Sequence, residues 1–568
     1  MSVYGLFDSV KWLTPLEIIL CLINLTVLVR YAIPAAKHYR WFDFVPSLGV
    51  IISIASVLYG DTTLLAIVFY SLTLIIFLST LKRLLKPKPK LAFPKRKVLK
   101  VIRVVVCVIG IVPIVIALMN AGVLRYNPTS DLSGMSYSKA FLKMNERLSK
   151  EYPFGEWKHI NWDDLRNKYE PIFTKAEKDN DKDLYYKTLR DYLLSIGDGH
   201  IKIANDNVYE NNKVFKDEVG GGYGISTVQL DDGKVRVSLV LEGSPAAQNG
   251  MKLGAEIVSW DGKTGKEAFE QTTWSESNMA TNEVKAYYQG RFMARAPIGK
   301  QIEVTFKNRD DDKLNKATLV AYDDQFETLK QTKVKMTQED LDVSPIEGDI
   351  TKDGFGYVKI KHFLPKSTFT APEKSFAEKL KQFQDNKVKG LIIDLRDNPG
   401  GEDALAATIA GYFVNETKHY EYVSYYNRYT GKFEINHNEV VKVNPMQPYF
   451  DGNIAILINS RTGSSGEGIP LVLKGLPNVR IIGFTSTAGS FGIVGQPIEI
   501  HMPDNYILKF PDGRSLNKDK VIQGDADYTR QGGAVPDIKI PLNEQMFTEK
   551  YIDGQDVEMS YAIAALKK

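Results

Sequence analysis

Apolar stretches long enough to cross a bilayer are confined to the first 125 of 568 residues, which divides the chain into two unlike folding problems. A hydrocarbon core about 30 Å thick takes about 20 residues of helix to span. Residues 62–81 carry no charge, residues 104–124 have Asn120 as their only strongly polar side chain, and residues 44–60 form a shorter clean stretch. Residues 15–36 include Glu17 and Arg30, so they read as a fourth span or as an interfacial helix. The expectation is an N-terminal α-helical transmembrane bundle over residues 1–125, of four helices. Apolar segments continue well beyond the reach of a cleaved signal peptide.

Charge gives the orientation. Ten Lys and Arg stand between Lys82 and Arg103 with no acid among them, and positive loops stay cytoplasmic. The last span then exits, which places everything after Arg125 outside the cytoplasm in a multi-pass cell-membrane protein, with the lipid bilayer as one partner. The first 125 residues hold fifteen Lys and Arg against four acids; with +4 overall, the remaining 443 residues carry −7. The alkaline character therefore belongs to the membrane part, and the large C-terminal part does not read as a nucleic-acid binder. Both cysteines, Cys21 and Cys107, lie in apolar spans. Residues 126–568 thus have no disulfide, thiol nucleophile or thiolate metal site. No phosphate loop or HExxH pattern occurs, and no metal or cofactor is expected.

Beyond a polar connector, residues 135–196 repeat apolar positions near a 3.6 period among many charges, which predicts a helical subdomain over 126–212. From Gly220 the pattern turns to short alternating strands, giving a small β domain over 213–328. Beyond Gly354, apolar runs at GLIIDL, NIAILIN and VRIIGF alternate with helical segments. Runs apolar on both faces predict a covered α/β sheet within 329–568.

Three short motifs could carry chemistry. In NSRTGSSGE, Ser464 follows a buried strand and precedes a helix predicted over 466–474, where free N–H groups can stabilise an oxyanion; a serine-rich N-cap is the plainer reading of that run alone. In GLIIDLRDNPGG a strand opens into Gly400-Gly401, where bare backbone can approach a ligand. In GDGH, His200 stands in a glycine turn after a helix. Taken in order with SPAAQNGMKLGAEIVSWDGK and GGAVPDI, these motifs resemble the C-terminal processing, or tail-specific, serine protease family over roughly residues 135–566. The resemblance implies an α/β protease core, distantly crotonase-like, with a helical N-terminal subdomain and an inserted PDZ-like β domain, acting on protein or peptide substrates.

By that resemblance Ser464 is the nucleophile, three residues before Glu467. The oxyanion donors are a backbone N–H of Gly400 or Gly401 and that of Ser465. The family's processing branch has a base lysine about twenty-five positions after the serine, where this chain reads Gly483-Phe484-Thr485-Ser486-Thr487-Ala488-Gly489-Ser490. The tricorn-like branch lacks that lysine and takes its base from a histidine in the early turn, here His200. That branch also has a serine just before the histidine, where Gly199 stands, and a late glutamate, near which this chain offers Asp525, Asp527 and Arg530. His362, His501 and Lys509 are the substitute bases. Gly222-Tyr223-Gly224-Ile225 corresponds to the PDZ carboxylate-binding loop for substrate tails. The competing reading is a catalytically inactive PDZ receptor or scaffold that binds protein tails. Nothing in the sequence fixes the oligomeric state.

Overall fold

The run Leu391–Asp394 is apolar up to its last residue and buried at every position, as is Ile454–Leu457. Two such strands can only sit side by side at the centre of a covered sheet. The computed structural model describes residues 75, 129–204, 212–309, 311, 313–333, 344–364, 372–427 and 430–567, and it has that sheet. Its strand order is Ile346–Ile350, Gly356–Ile360, Leu391–Asp394, Ile454–Leu457, Val479–Gly483, Ile538–Lys539. The first pair is antiparallel and every other pair parallel.

Period-two alternation decides what covers each face. Leu391, Ile393, Ile454 and Ile456 pack with the helices Pro372–Asp385, Asp403–Ala410 and Gly468–Leu473. Ile392, Ala455, Leu457 and Ile482 pack with the C-terminal helix Val557–Leu566. Asp394 and Leu457 are register partners, so the loops after the two central strands leave the sheet side by side. In open α/β sheets that edge is where ligands bind.

The helical subdomain has three helices, Tyr137–Glu151, Trp162–Asp179 and Lys182–Ile196. Their apolar stripes, among them Phe141, Leu148, Phe173 and Leu189, share one core with Ile498, Ile500, Leu508 and Phe510. Those last residues belong to a four-stranded sheet ordered Thr129–Asp131, Ile498–His501, Ile507–Phe510, Lys202–Ile203. Segments 300 residues apart are thereby fused, and the turn carrying His200 is fixed between the third helix and that sheet.

The β domain is an antiparallel sheet ordered Leu314–Val320, Gln301–Lys307, Glu256–Trp260, Val235–Val240, Ile225–Gln229. Tyr223, Val237, Ile257, Trp260 and Phe306 fill its core. Residues 267–298 hold the helix Asn282–Phe292. Among the described residues no helix is long and apolar enough to cross a membrane. The four expected spans lie outside the described residues, apart from Ile75, which is helical and exposed.

Candidate active site

The two loops at the sheet edge are tied together by their own polar groups. Thr462 donates its hydroxyl to Leu395 O at 2.8 Å, Asn459 Nδ2 donates to Asp397 Oδ1 at 2.8 Å, and Gly463 N donates to Asn398 O at 2.9 Å. Arg396 clamps Asp394 and Asp556, which anchors the first loop to the C-terminal helix. Between these ties Ser464 has φ +51°. A non-glycine residue in that region is uncommon and costs of order 1 kcal/mol, so the surrounding bonds must hold it there. Its N–H donates to Ser490 O at 2.9 Å, while its Oγ has no hydrogen-bond partner among the described residues. In place of the expected helix over 466–474, a 3-10 turn Ser464–Glu467 leads into a helix of six residues, Gly468–Leu473. A dipole this short adds little, so local N–H groups carry the oxyanion argument.

Those N–H groups come from two strands of backbone in close contact. Gly400 and Gly401 have φ +97° and +148°. A methyl group on Gly400 would stand 2.6 Å from Ser464 Cβ and 2.8 Å from Ser465 N, and one on Gly401 would stand 2.2 Å from the Phe363 carbonyl carbon. No side chain fits at either position. Gly400 N–H is committed to Asn398 Oδ1 at 2.8 Å. The N–H groups of Gly401 and Ser465 have no acceptor among the described residues, which makes Gly401 rather than Gly400 the free donor of the pair.

His200 approaches from the other side. The helix Lys182–Ile196 ends at Gly197 with φ +67°, and Asp198 then holds the turn, accepting from His200 N at 2.8 Å and from the Tyr152 hydroxyl at 2.6 Å. Gly199 lies against Ser490, so closely that a methyl group there would stand 2.3 Å from Ser490 Oγ. Ser490 therefore touches both turns, since its carbonyl takes the Ser464 N–H. His200 Nδ1 is buried without a partner, and burial pulls the imidazole below its ordinary pKa, with Asp198 opposing. No hydrogen bond joins the imidazole to Ser464; such bonds commonly tighten only when substrate is bound.

Residues 354–540 match the model of peptidase family S41. The chain is 23% identical over 384 residues to the carboxy-terminal processing protease CtpA of Bacillus subtilis, covering 67% of this chain and 69% of that one. It is 26% identical over 350 residues to the carboxy-terminal-processing protease of Bartonella bacilliformis, covering 60% and 64%. Among solved structures, mature CPAF in complex with lactacystin superposes with a TM-score of 0.53 at 12% identity, over 76% of this chain and 98% of that one. The chain is a serine-type peptidase, similar to family S41 over residues 354–540.

In this peptidase the substitute bases have other partners. His501 Nε2 and Lys509 Nζ both face Glu499, at 2.7 and 3.1 Å, and His362 Nδ1 accepts from Leu364 N at 3.1 Å. Asp527 caps its own turn through Thr529 and Gln531. Arg530 lies against Gly197 and donates to Met279 O at 2.7 Å.

The loop Gly222-Tyr223-Gly224-Ile225 departs from the expected carboxylate site. All four residues are buried. Gly222 N donates to Tyr322 O and Tyr223 N to Ala294 O, so neither donor is open to a carboxylate; Tyr223 is a core residue packed on Trp260.

Two further side chains organise the peptidase site, Glu467 from the NSRTGSSGE motif and Lys158 from outside any motif. Glu467 is buried and accepts from Gly489 N at 2.7 Å and Ser490 N at 3.2 Å, and burial holds its carboxyl well above the usual range. Buried Lys158 donates to Gly197 O at 2.9 Å and Ala526 O at 2.6 Å. Burial pulls its ammonium down while Asp198 and Asp525 oppose. The only sequence signal for Lys158 is its setting between Trp157 and His159.

Proposed function

We propose that the chain is a membrane-anchored endopeptidase that cleaves protein substrates outside the cytoplasm, with Ser464 as nucleophile and His200 as general base. The observation that carries this reading is the unpartnered Ser464 Oγ on a positive-φ turn beside two unpartnered N–H groups. His200 takes the hydroxyl proton as Oγ attacks the substrate carbonyl, and the Gly401 and Ser465 N–H groups receive the developing oxyanion. The imidazolium then returns the proton to the leaving amine, and water hydrolyses the acyl-enzyme by the same route in reverse. The curated relatives are named for carboxy-terminal processing, and we extend that substrate class to this chain. Tail capture by the β domain would require Gly222 and Tyr223 to release their present partners. The inactive-scaffold reading has less support, because a base candidate and two free donors accompany the serine.

A fluorophosphonate probe should label the native chain and fail to label Ser464→Ala, with Ser465→Ala still labelled because its N–H survives. Labelling retained in Ser464→Ala would transfer the nucleophile elsewhere. For the topology, the ten-residue basic cluster supports an external catalytic part, and protease added to intact cells should digest the region after Arg125.

A further inference from the structure

The turn that carries His200 is gripped by a stretch of the β domain that no motif marks. Residues 278–281, Asn278-Met279-Ala280-Thr281, form neither helix nor strand, yet all four are buried. A loop usually runs over the surface because its backbone groups need water, so a buried one must find its partners in the protein. Asn278 Nδ2 donates to Ile201 O at 2.8 Å, one residue beyond His200. Met279 O accepts from Arg530 Nη1 at 2.7 Å, and the same guanidinium covers Gly197, where a methyl group would stand 3.2 Å from Nη2. The base turn is thus held at both ends from one segment. Thr281 reaches the next loop: a methyl group on Gly489 would stand 2.4 Å from Thr281 Cγ2, beside the Ser490 whose carbonyl takes the Ser464 N–H.

The segment can hold the turn because it is itself fastened on two sides. Thr281 caps the helix Asn282–Phe292, its Oγ1 accepting from Val284 N at 3.3 Å. Asn282 donates its N–H to Arg530 O and its Nδ2 to Thr529 O, each at 3.2 Å. Further along the helix, the Arg461 guanidinium of the nucleophile loop lies over the Tyr287 ring, 4.7 Å from its centre. Gly290 fastens the helix to the β sheet: the hydroxyls of Ser226 and Thr227 donate to Gly290 O at 3.1 and 3.2 Å, and a methyl group on Gly290 would stand 2.2 Å from Thr227 O. No side chain fits between Gly290 and the strand Ile225–Gln229, and packing this close leaves the helix little room to shift.

We propose that Asn278 is a positioning residue of the reaction, which holds the Ile201 carbonyl and so fixes the direction in which the turn presents His200 to Ser464. The proposal rests on the reading of His200 as general base made above. Asp198 fixes the turn before the imidazole by accepting from His200 N, and Asn278 fixes the first carbonyl after it. Both ties are needed because Gly197 and Gly199 leave the backbone between them free to swing. A base works only within hydrogen-bond reach of the proton it takes, and a displacement of about 1 Å can cost about a hundredfold in rate. Asn278 itself touches neither Ser464 nor His200 through a hydrogen bond among the described residues, so its whole effect passes through the turn.

The test compares the native chain, Asn278→Ala, Asn278→Leu, His200→Ala and the double variant His200→Ala with Asn278→Ala, each as the full chain in detergent. Turnover of a fluorogenic peptide gives kcat and KM, a fluorophosphonate probe gives the labelling rate of Ser464, and all rates are taken at a temperature where thermal melts show every variant folded. Leucine has no donor and is close to asparagine in size, so it removes the bond while keeping the space filled. Both Asn278 variants should lower kcat about tenfold with KM little changed, a part of the 10² to 10⁴ that a general base supplies. In the His200→Ala chain, Asn278→Ala should slow labelling by less than about twofold, because a residue that acts through the imidazole then has nothing left to act through. A merely structural role would slow both backgrounds by the same factor. Equal factors in the two backgrounds, or native kcat in either Asn278 variant, would overturn the inference. His200→Ala separates the two failures: if it is slow while Asn278→Ala is native, the base assignment stands and only the role of Asn278 falls, and if it turns over like the native chain, both fall.

Discussion

Two buried acidic clusters flank Ser464, and they differ in the groups that surround them. On the base side, Asp198 and Asp525 share their enclosure with the ammonium of Lys158, which also binds two backbone carbonyls. On the oxyanion side, Asp403 and Glu421 face only other acids. Burial raises a carboxyl and a nearby cation opposes that rise; at Asp525 burial outweighs Lys158. Burial raises a carboxyl on both sides, that of Asp525 against the opposing pull of Lys158 and those of Asp403 and Glu421 with none from a cation, while Asp198 accepts from His200 N.

The largest expected effect is on the base side. His200→Ala should lower kcat by about 10² to 10⁴, the usual contribution of a general base, while Lys509→Ala, whose ammonium is held by Glu499, should remain active. Burial favours neutral imidazole, so native activity should rise with pH through a value below the ordinary 6.5 of histidine. Turnover of both variants from pH 4 to 9 checks this. A dead Lys509→Ala beside an active His200→Ala would reverse the assignment and dissolve the contrast between the clusters.

Next in size is removal of the cation. Lys158→Met leaves Gly197 O and Ala526 O without their donor and Asp198 and Asp525 without a compensating charge. The expected loss is about 3 kcal/mol of stability, read from urea unfolding of the full chain in detergent. A melt indistinguishable from native would mean that the two carbonyls and the acids do not depend on the Lys158 ammonium.

What the sequence made legible follows the range of the interactions. The central strands could be read because Leu391–Asp394 and Ile454–Leu457 are apolar on both faces, a local property. Ser464, His200 and the Gly400-Gly401 turn could be read because each lies in a short motif. Lys158 could not, since its partner carbonyls lie 39 and 368 positions away. Asp403 lies in no motif, and only the fold brings the Tyr420 hydroxyl to it. The loop at Gly222 misled for a related reason: glycines advertise free N–H groups, but the strand Arg295–Ala296 and Tyr322, far along the chain, take up Gly222 and its neighbour.

A smaller effect should separate the clusters by stability. The Glu421 carboxyl is raised in the folded state, so its contribution is fully present below the unfolded value near 4.5 and is lost as pH rises through about 8. Native protein should therefore lose stability between about pH 4.5 and 8, and Glu421→Gln should flatten that slope. Thermal unfolding across this range checks it, and an unchanged slope in Glu421→Gln would place the titration in another group.

The smallest effect concerns the point where the base and the nucleophile meet. Gly199 stands just before His200, and a methyl group there would stand 2.3 Å from Ser490 Oγ. A side chain at 199 and the one at 490 therefore compete for one space. Gly199→Ser alone should overpack the junction and cost about 1 to 2 kcal/mol, seen as slower probe labelling of Ser464 as well as lower stability. Adding Ser490→Gly vacates the space, and the double variant should recover most of both losses, giving a coupling of about 1 kcal/mol in a double-mutant cycle. Ser490→Gly alone leaves the Ser490 carbonyl that accepts the Ser464 N–H, so its own effect should be smaller than that of Gly199→Ser. Additive losses in the double variant would show that the two positions do not share the space.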